Sequence, residues 1–228
     1  FAQKPRPATV ELRPLLGRLG ITFLQDEVTE VNPSGTIRLA RTGRQSFDLA
    51  ALALGSEVDF FGIPGMKPFA FRFKTLADAE RLKAHLDQEM LEVTKVAGRG
   101  ADPKLRVSVI GGGPTGVELS LLIRPYFDRT LPALGLDGRE EVLLIEAESR
   151  VLPMFPTKAS QIASRLLRAA GIRILVGQMV KEEHSRKLLL RPDRTILSET
   201  VIWTGGVCSD SLGAIVSVAA RNHANRLE

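Results

Sequence analysis

The chain has 228 residues, of which 44% are hydrophobic, enough to bury a core in one or two domains. Its net charge of +5 is spread over 31 basic and 26 acidic residues without a long basic run, and with only 5% aromatics it argues against a nucleic-acid binder. The single cysteine, Cys208, excludes an internal disulfide and a C-x-x-C pair, so redox chemistry would have to come from a bound cofactor.

In chain order, Ile21 to Leu24, Glu27 to Val31 and Thr36 to Ala40 are short β-rich runs. The last two are joined by the turn sequence Asn32-Pro33-Ser34-Gly35, and together the runs predict an antiparallel meander. A second turn is expected at Arg41 to Arg44, then an apolar strand over "FDLAALALGS", Phe47 to Ser56. Phe60 to Met66, "FFGIPGM", reads as a linker shaped by glycine and proline. A helix is predicted from Lys74-Thr75 to about Leu91, with a loop over Val96 to Lys104.

The most informative stretch follows. Arg106 to Ile110 ("RVSVI") is a β-branched run suited to a buried parallel strand, and Thr115 onward ("TGVELSLLI") carries apolar residues at helical spacing. Between them Gly111, Gly113 and Gly116 stand in the G-x-G-x-x-G spacing. Gly111 permits a tight turn, Gly113 close approach of a pyrophosphate, and Gly116 close packing of helix on sheet. The loop Gly111, Gly112, Gly113, Pro114, Thr115 and Gly116 would thus hold a dinucleotide at the positive end of a helix. A ligand-free glycine turn is the alternative, and the flanking strand and helix weigh against it.

Glu141 to Ile145 ("EVLLI") predicts a second buried strand, ending in Glu146, where a carboxylate can accept hydrogen bonds from an adenosine ribose and repel the extra phosphate of NADP. NADH is therefore expected over NADPH. Glu146 lies 30 residues after Gly116, and the surplus is assigned to an excursion over Arg124 to Glu140, with two prolines and two glycines. Against that preference, Arg150, four residues beyond Glu146, could reach a 2′-phosphate on the cofactor.

Downstream, Thr157 to Ala170 predicts a helix with Ile162, Leu166 and Leu167 on its apolar side, stopped by Gly171. Ile172 to Val176 is a third parallel strand, Val180 to Leu190 a small antiparallel meander, and Glu199 to Thr204 a last strand before Gly205-Gly206. His85, His184 and His223 have no metal-ligand spacing, so no metal is expected. No apolar run approaches the roughly 18 residues of a membrane span. The fold class expected is α/β: a Rossmann-like NAD-binding domain with a parallel sheet, a small antiparallel β-meander and a partial FAD-domain β segment.

"ALALGSEVDFFGIPGM", "GGGPTGVELS", "VLLIEAESRVLP" and "VIWTGGV", in this order, resemble the middle of the two-dinucleotide flavoprotein family that includes glutathione reductase. "KTLADAERLK" and "WTGGV" narrow the likeness to type II NADH dehydrogenases, single-subunit NADH:quinone oxidoreductases. The resemblance implies an FAD domain interrupted by an NADH domain. It assigns 1–55 to the β-meander end of the FAD domain, 56–203 to the NADH domain, and 204–228 to the return crossover and tail. The start at Phe1 and the Leu227-Glu228 ending suggest a piece of a longer protein that retains one dinucleotide fingerprint. Flavin is then expected in the parent and not in this soluble piece.

The resemblance also implies roles. Glu118 matches the glutamate that lies beside the nicotinamide and flavin rings in relatives; otherwise it is a polar residue stabilised by the helix dipole. Gly205 and Gly206 match the glycine pair that lets the backbone approach the nicotinamide, against a plain strand-to-loop turn. The implied activity is hydride transfer from NADH to FAD and electron transfer to a quinone, in an enzyme held peripherally on the cytoplasmic side of a membrane. The alternatives are an NADH-dependent reductase of a small redox protein and a non-catalytic NAD(H)-binding module. Unpartnered strands near the N-terminus are expected to favour a homodimer.

Overall fold

A computed structural model describes residues 10–98, 103–136 and 138–208. The chain divides into two compact units, Val58–Gly206 and the residues on either side of it. The cuts expected from sequence, after residues 55 and 203, fall two and three residues short of these boundaries. Most of the tail assigned to 204–228, His223 included, lies outside the described residues.

The flanking unit contains α1 (Leu12–Arg18) and an antiparallel sheet of β1 (Val28–Asn32), β2 (Thr36–Leu39) and β3 (Gly43–Ser46), in that order. The Asn32 side chain accepts the Ser34 N–H at 2.9 Å, and Gly35 takes a φ of +99°, so the first turn forms where its residues demand it. Asp26 organises the second turn. The Thr42 hydroxyl, then the N–H groups of Glu27, Thr42 and Arg41, hold its carboxyl well below the usual range.

Three expectations fail here. Ile21–Leu24 is not a strand, and α1, with no buried residue to mark it, was not foreseen. Residues 47–56 form no strand either. A strand must pair its N–H and C=O groups, and no described strand runs alongside. Leu49 is accordingly 91% exposed.

After β4 (Glu57–Val58), which straddles the first crossing, the larger unit runs through α2 (Met66–Phe69), β5 (Phe71–Arg72), α3 (Leu76–Ala97), β6 (Leu105–Ile110), α4 (Pro114–Thr130) and β7 (Glu140–Ile145). It continues with α5 (Thr157–Ala169), β8 (Arg173–Leu175), β9 (Met179–His184), β10 (Lys187–Arg191), β11 (Arg194–Leu197) and β12 (Thr200–Trp203); β13 (Val207–Cys208) follows the second crossing. The central sheet is parallel throughout, in the order β5-β12-β6-β7-β8. β9 to β11 form the antiparallel meander, which extends to Leu197 and not only to Leu190.

Side-chain alternation splits the sheet between two cores. Val107, Val109, Val142, Leu144 and Ile202 pack with Leu86 and Met90 of α3, Phe127 of α4 and Leu167 of α5. Ile110, Leu143, Ile145, Val201 and Trp203 pack with Val180, Leu188 and Leu190 of the meander. Burial on both faces explains why these strands read as unbroken apolar runs.

The helices depart from expectation in instructive ways. A capping box between Thr75 and Asp78 starts α3, and burial of Met90 and Val93 carries it past Leu91. α4 runs through the expected excursion to Thr130 with Pro125 inside it. Proline costs a helix interior about 3 kcal/mol, but Phe127 and Leu131 beyond it are fully buried, each side chain contributing about 1.5–3 kcal/mol. α5 turns inward the small Ser160 and Ala163 with Leu167, leaving Ile162 and Leu166 42% and 55% exposed. Gly171, at φ +73°, follows this helix as predicted.

Candidate dinucleotide cleft

The carboxyl ends of β6, β7 and β12 meet at a cleft of about 430 Å³, whose lining includes Gly111, Glu146 and Gly205. From β6 the chain passes through α4 to β7 on one side, while β12 and β5 lie on the other. This is the switch point where open α/β sheets bind ligands.

The glycines of the loop divide into those that folding requires and one that it does not. Gly111 takes a φ of +108°, and a Cβ there would lie 2.7 Å from the Gly205 Cα. A Cβ on Gly112 would meet the Glu146 carboxylate at 2.9 Å, and one on Gly116 would strike the Gly111 carbonyl and, at 2.8 Å, the Thr204 hydroxyl. Gly113 differs. Its φ is −70°, and nothing lies within 4 Å of a Cβ built on it. Neither packing nor backbone requires a glycine there. Pro114 and Thr115 are exposed, and no side chain caps α4, so its first-turn N–H groups remain for an anion.

Glu146 is 9% exposed at the end of β7. Its two carboxylate oxygens accept the Gly112 N–H at 2.5 Å and the Glu148 N–H at 2.8 Å. The carboxylate therefore ties the second strand to the glycine turn, and each oxygen keeps acceptor capacity for a ribose hydroxyl.

The other predicted residues fall less uniformly. Arg150 does not line the cleft; its guanidinium donates to the carbonyls of Leu152, Pro153 and Phe155 at 2.9, 2.6 and 2.9 Å. These three bonds staple the loop after β7. Glu118 is exposed on α4, and its side chain makes no hydrogen bond or ion pair with a described residue. Gly205 lines the cleft, and a Cβ there would stand 2.9 Å from the Trp203 ring; Gly206 makes room for the ring of Phe61.

Sequence reasoning missed Thr204 and Trp203. The Thr204 hydroxyl lies 2.9 Å from the Ile110 carbonyl and 3.0 Å from that of Gly111, holding β12 to the glycine turn. The Trp203 indole N–H donates to the Asp59 carbonyl at 2.7 Å. The "WT" before the glycine pair is the only trace of either in the sequence.

The model of the pyridine nucleotide-disulphide oxidoreductase family matches residues 6–226. The chain belongs to this family. Among curated relatives, the type II NADH:quinone oxidoreductase of Staphylococcus saprophyticus is 24% identical over 196 residues, covering 84% of this chain and 48% of the relative. The Mycobacterium tuberculosis protein of that description is 27% identical over 222 residues, covering 90% and 47%. The chain thus spans about half the length of the curated relatives it matches.

Two solved structures show the same fold. NDH2 of Plasmodium falciparum in complex with NADH superposes with a TM-score of 0.67 at 20% identity, covering 83% of this chain and 41% of that one. The ferredoxin reductase for the CYP199A2 system of Rhodopseudomonas palustris gives 0.66 at 19%, covering 92% and 46%. The family fold is the α/β, Rossmann-like architecture described above. No helix among the described residues is long and apolar enough to cross a membrane.

Proposed function

We propose that Val58–Gly206 is the NADH-binding unit of an FAD-dependent NADH dehydrogenase whose electrons go on to a quinone, and that the flanking residues belong to its FAD-binding part. The open space over Gly113 carries the reading: a bare glycine at an uncapped helix start, beside a buried carboxylate at the next strand end, is the provision a dinucleotide needs. The curated relatives' description supports the quinone acceptor over a small redox protein or a non-catalytic module. A lipophilic acceptor in turn favours peripheral attachment, at the cytoplasmic face where NADH is made.

In this reading the α4 N–H groups and the Gly111–Gly116 loop hold the pyrophosphate. Glu146 accepts the adenosine ribose hydroxyls and disfavours a 2′-phosphate. Gly205 borders the nicotinamide end, Gly206 lets the Phe61 ring sit beside it, and Glu118 orients the nicotinamide in the assembled enzyme. FAD, when bound, accepts the hydride. The sequence holds one glycine fingerprint, and this reading gives it to NADH.

Trp203 is the only tryptophan and lines the cleft, so its fluorescence reports binding directly. NADH should quench it saturably and NADPH more weakly, while the purified chain shows no flavin absorbance. Equal affinity for the two nucleotides would remove Glu146 from its role, and stoichiometric flavin would overturn the division into units.

A further inference from the structure

Phe61 occupies a conformation that its own chemistry disfavours. Its φ is +50°, in the left-handed region that bulky residues enter only under constraint. Asp59 supplies the constraint. Its side chain accepts the Phe61 N–H at 2.7 Å, its carbonyl accepts the Trp203 indole N–H at 2.7 Å, and its own N–H donates to the Gly206 carbonyl at 3.2 Å. The ring meets Trp203 edge-on, with centroids 6.1 Å apart, over the space left by Gly206.

The bond from Trp203 to Asp59 serves the core, but the Phe61 ring lies outside it. Trp203 is already buried and has Phe60 against it at 5.6 Å, whereas Phe61 remains 63% exposed and lines the cleft. A glycine would meet the backbone requirement without strain. The ring is what a glycine could not supply.

Strand order says what would meet it. Glu146 ends β7, the open space over Gly113 follows β6, and Gly205 follows β12, on three adjacent strands about 4.8 Å apart. A dinucleotide with its adenosine ribose on Glu146 and its pyrophosphate over Gly113 is therefore directed toward β12, and its second ring arrives at Phe61. We propose that Phe61 is a positioning residue for the nicotinamide, its ring being the aromatic wall against which that ring stacks. This rests on the dinucleotide reading of the cleft. The flat faces of the two rings suit an offset stack, which ADP-ribose, lacking the nicotinamide, does not make.

Calorimetric titration of the 228-residue chain with NADH and with ADP-ribose separates the two readings. Phe61→Gly should weaken NADH by roughly two- to tenfold and ADP-ribose by less than about twofold, while Phe61→Tyr retains the wild-type NADH affinity. Thermal melting supplies a readout that a packing residue would move the other way: Phe61→Gly should melt at or above the wild-type temperature, because glycine relieves the left-handed backbone. Equal weakening of both ligands, unchanged NADH affinity, or a lowered melting temperature in Phe61→Gly overturns the assignment. A wild-type chain that binds NADH and ADP-ribose alike, with no added affinity from the nicotinamide, overturns it too and leaves the cleft's dinucleotide reading intact. A wild-type chain that binds neither ligand removes both.

Discussion

Glutamine at position 146 is isosteric with glutamate but replaces one acceptor oxygen by a donor NH2. Since Glu146 accepts the Gly112 N–H at 2.5 Å and the Glu148 N–H at 2.8 Å, one of these then faces a donor. A hydrogen bond to a charged acceptor is worth about 1.5–3 kcal/mol, and a buried N–H left unpaired costs about 1–3 kcal/mol. Glu146→Gln should therefore lose about 2–3 kcal/mol before any ligand is added. In a unit of about 150 residues that is a fall of roughly 4–12 °C in melting temperature. Glu146→Ala, which strands both N–H groups, should fall further. Scanning calorimetry of the ligand-free chain measures this, and NADH titration of the same samples should show weakened binding. Wild-type melting in Glu146→Gln would refute the view that this carboxylate fastens the second strand to the glycine turn. A corollary is that cofactor preference cannot be redesigned at this position without loosening the cradle.

The loop glycines predict a contrast. Gly113→Ala should melt like the wild type, because nothing lies near the added Cβ, yet lose NADH binding; retained binding would show that the open space is not the pyrophosphate's. Gly116→Ala should be destabilised by about 1–3 kcal/mol or more, since its Cβ would strike the Gly111 carbonyl, and denaturant melts compare the two directly. Tyr126, the only tyrosine, is pushed up to about 12 by burial and by its hydrogen bond to Asp87. Its folded value lies above the unfolded value near 10, so the stability it contributes is complete below that pH and is lost as pH rises toward 12. Near-ultraviolet titration of the phenolate should show this, with Asp87→Asn lowering the midpoint; an ordinary midpoint in the wild type refutes the coupling. Burial pushes His85 below its ordinary value, so its contribution is complete above about pH 6.5 and declines as pH falls through the folded value. His85→Asn should flatten that acid-side slope in pH-dependent melts, and an unchanged slope would count against it.

What the sequence revealed was local. The strand, glycine loop and helix at Arg106 to Leu122 form a contiguous pattern, and the Asn32–Gly35 turn and the stop at Gly171 need only nearby residues. What it concealed depends on distant partners. Trp203 bonds to Asp59 across 144 positions, a pairing that no periodicity encodes. Arg150 reads as a free cation until the loop after it folds back and presents three carbonyls. Pro125 reads as a helix breaker because the compensating burial of Phe127 is tertiary. Phe47 to Ser56 has the composition of a strand, yet composition supplies no neighbour to pair with it.

The larger unit begins and ends almost at one point: the Asp59 N–H and the Gly206 carbonyl are 3.2 Å apart. A stretch of chain whose two ends touch can be inserted into a host, or removed from it, by remaking two peptide bonds without threading anything. Val58–Gly206 therefore has the topology of a transferable cassette. The same adjacency would let its ends be joined and new ones opened at an exposed loop, giving a circular permutant that retains the cradle.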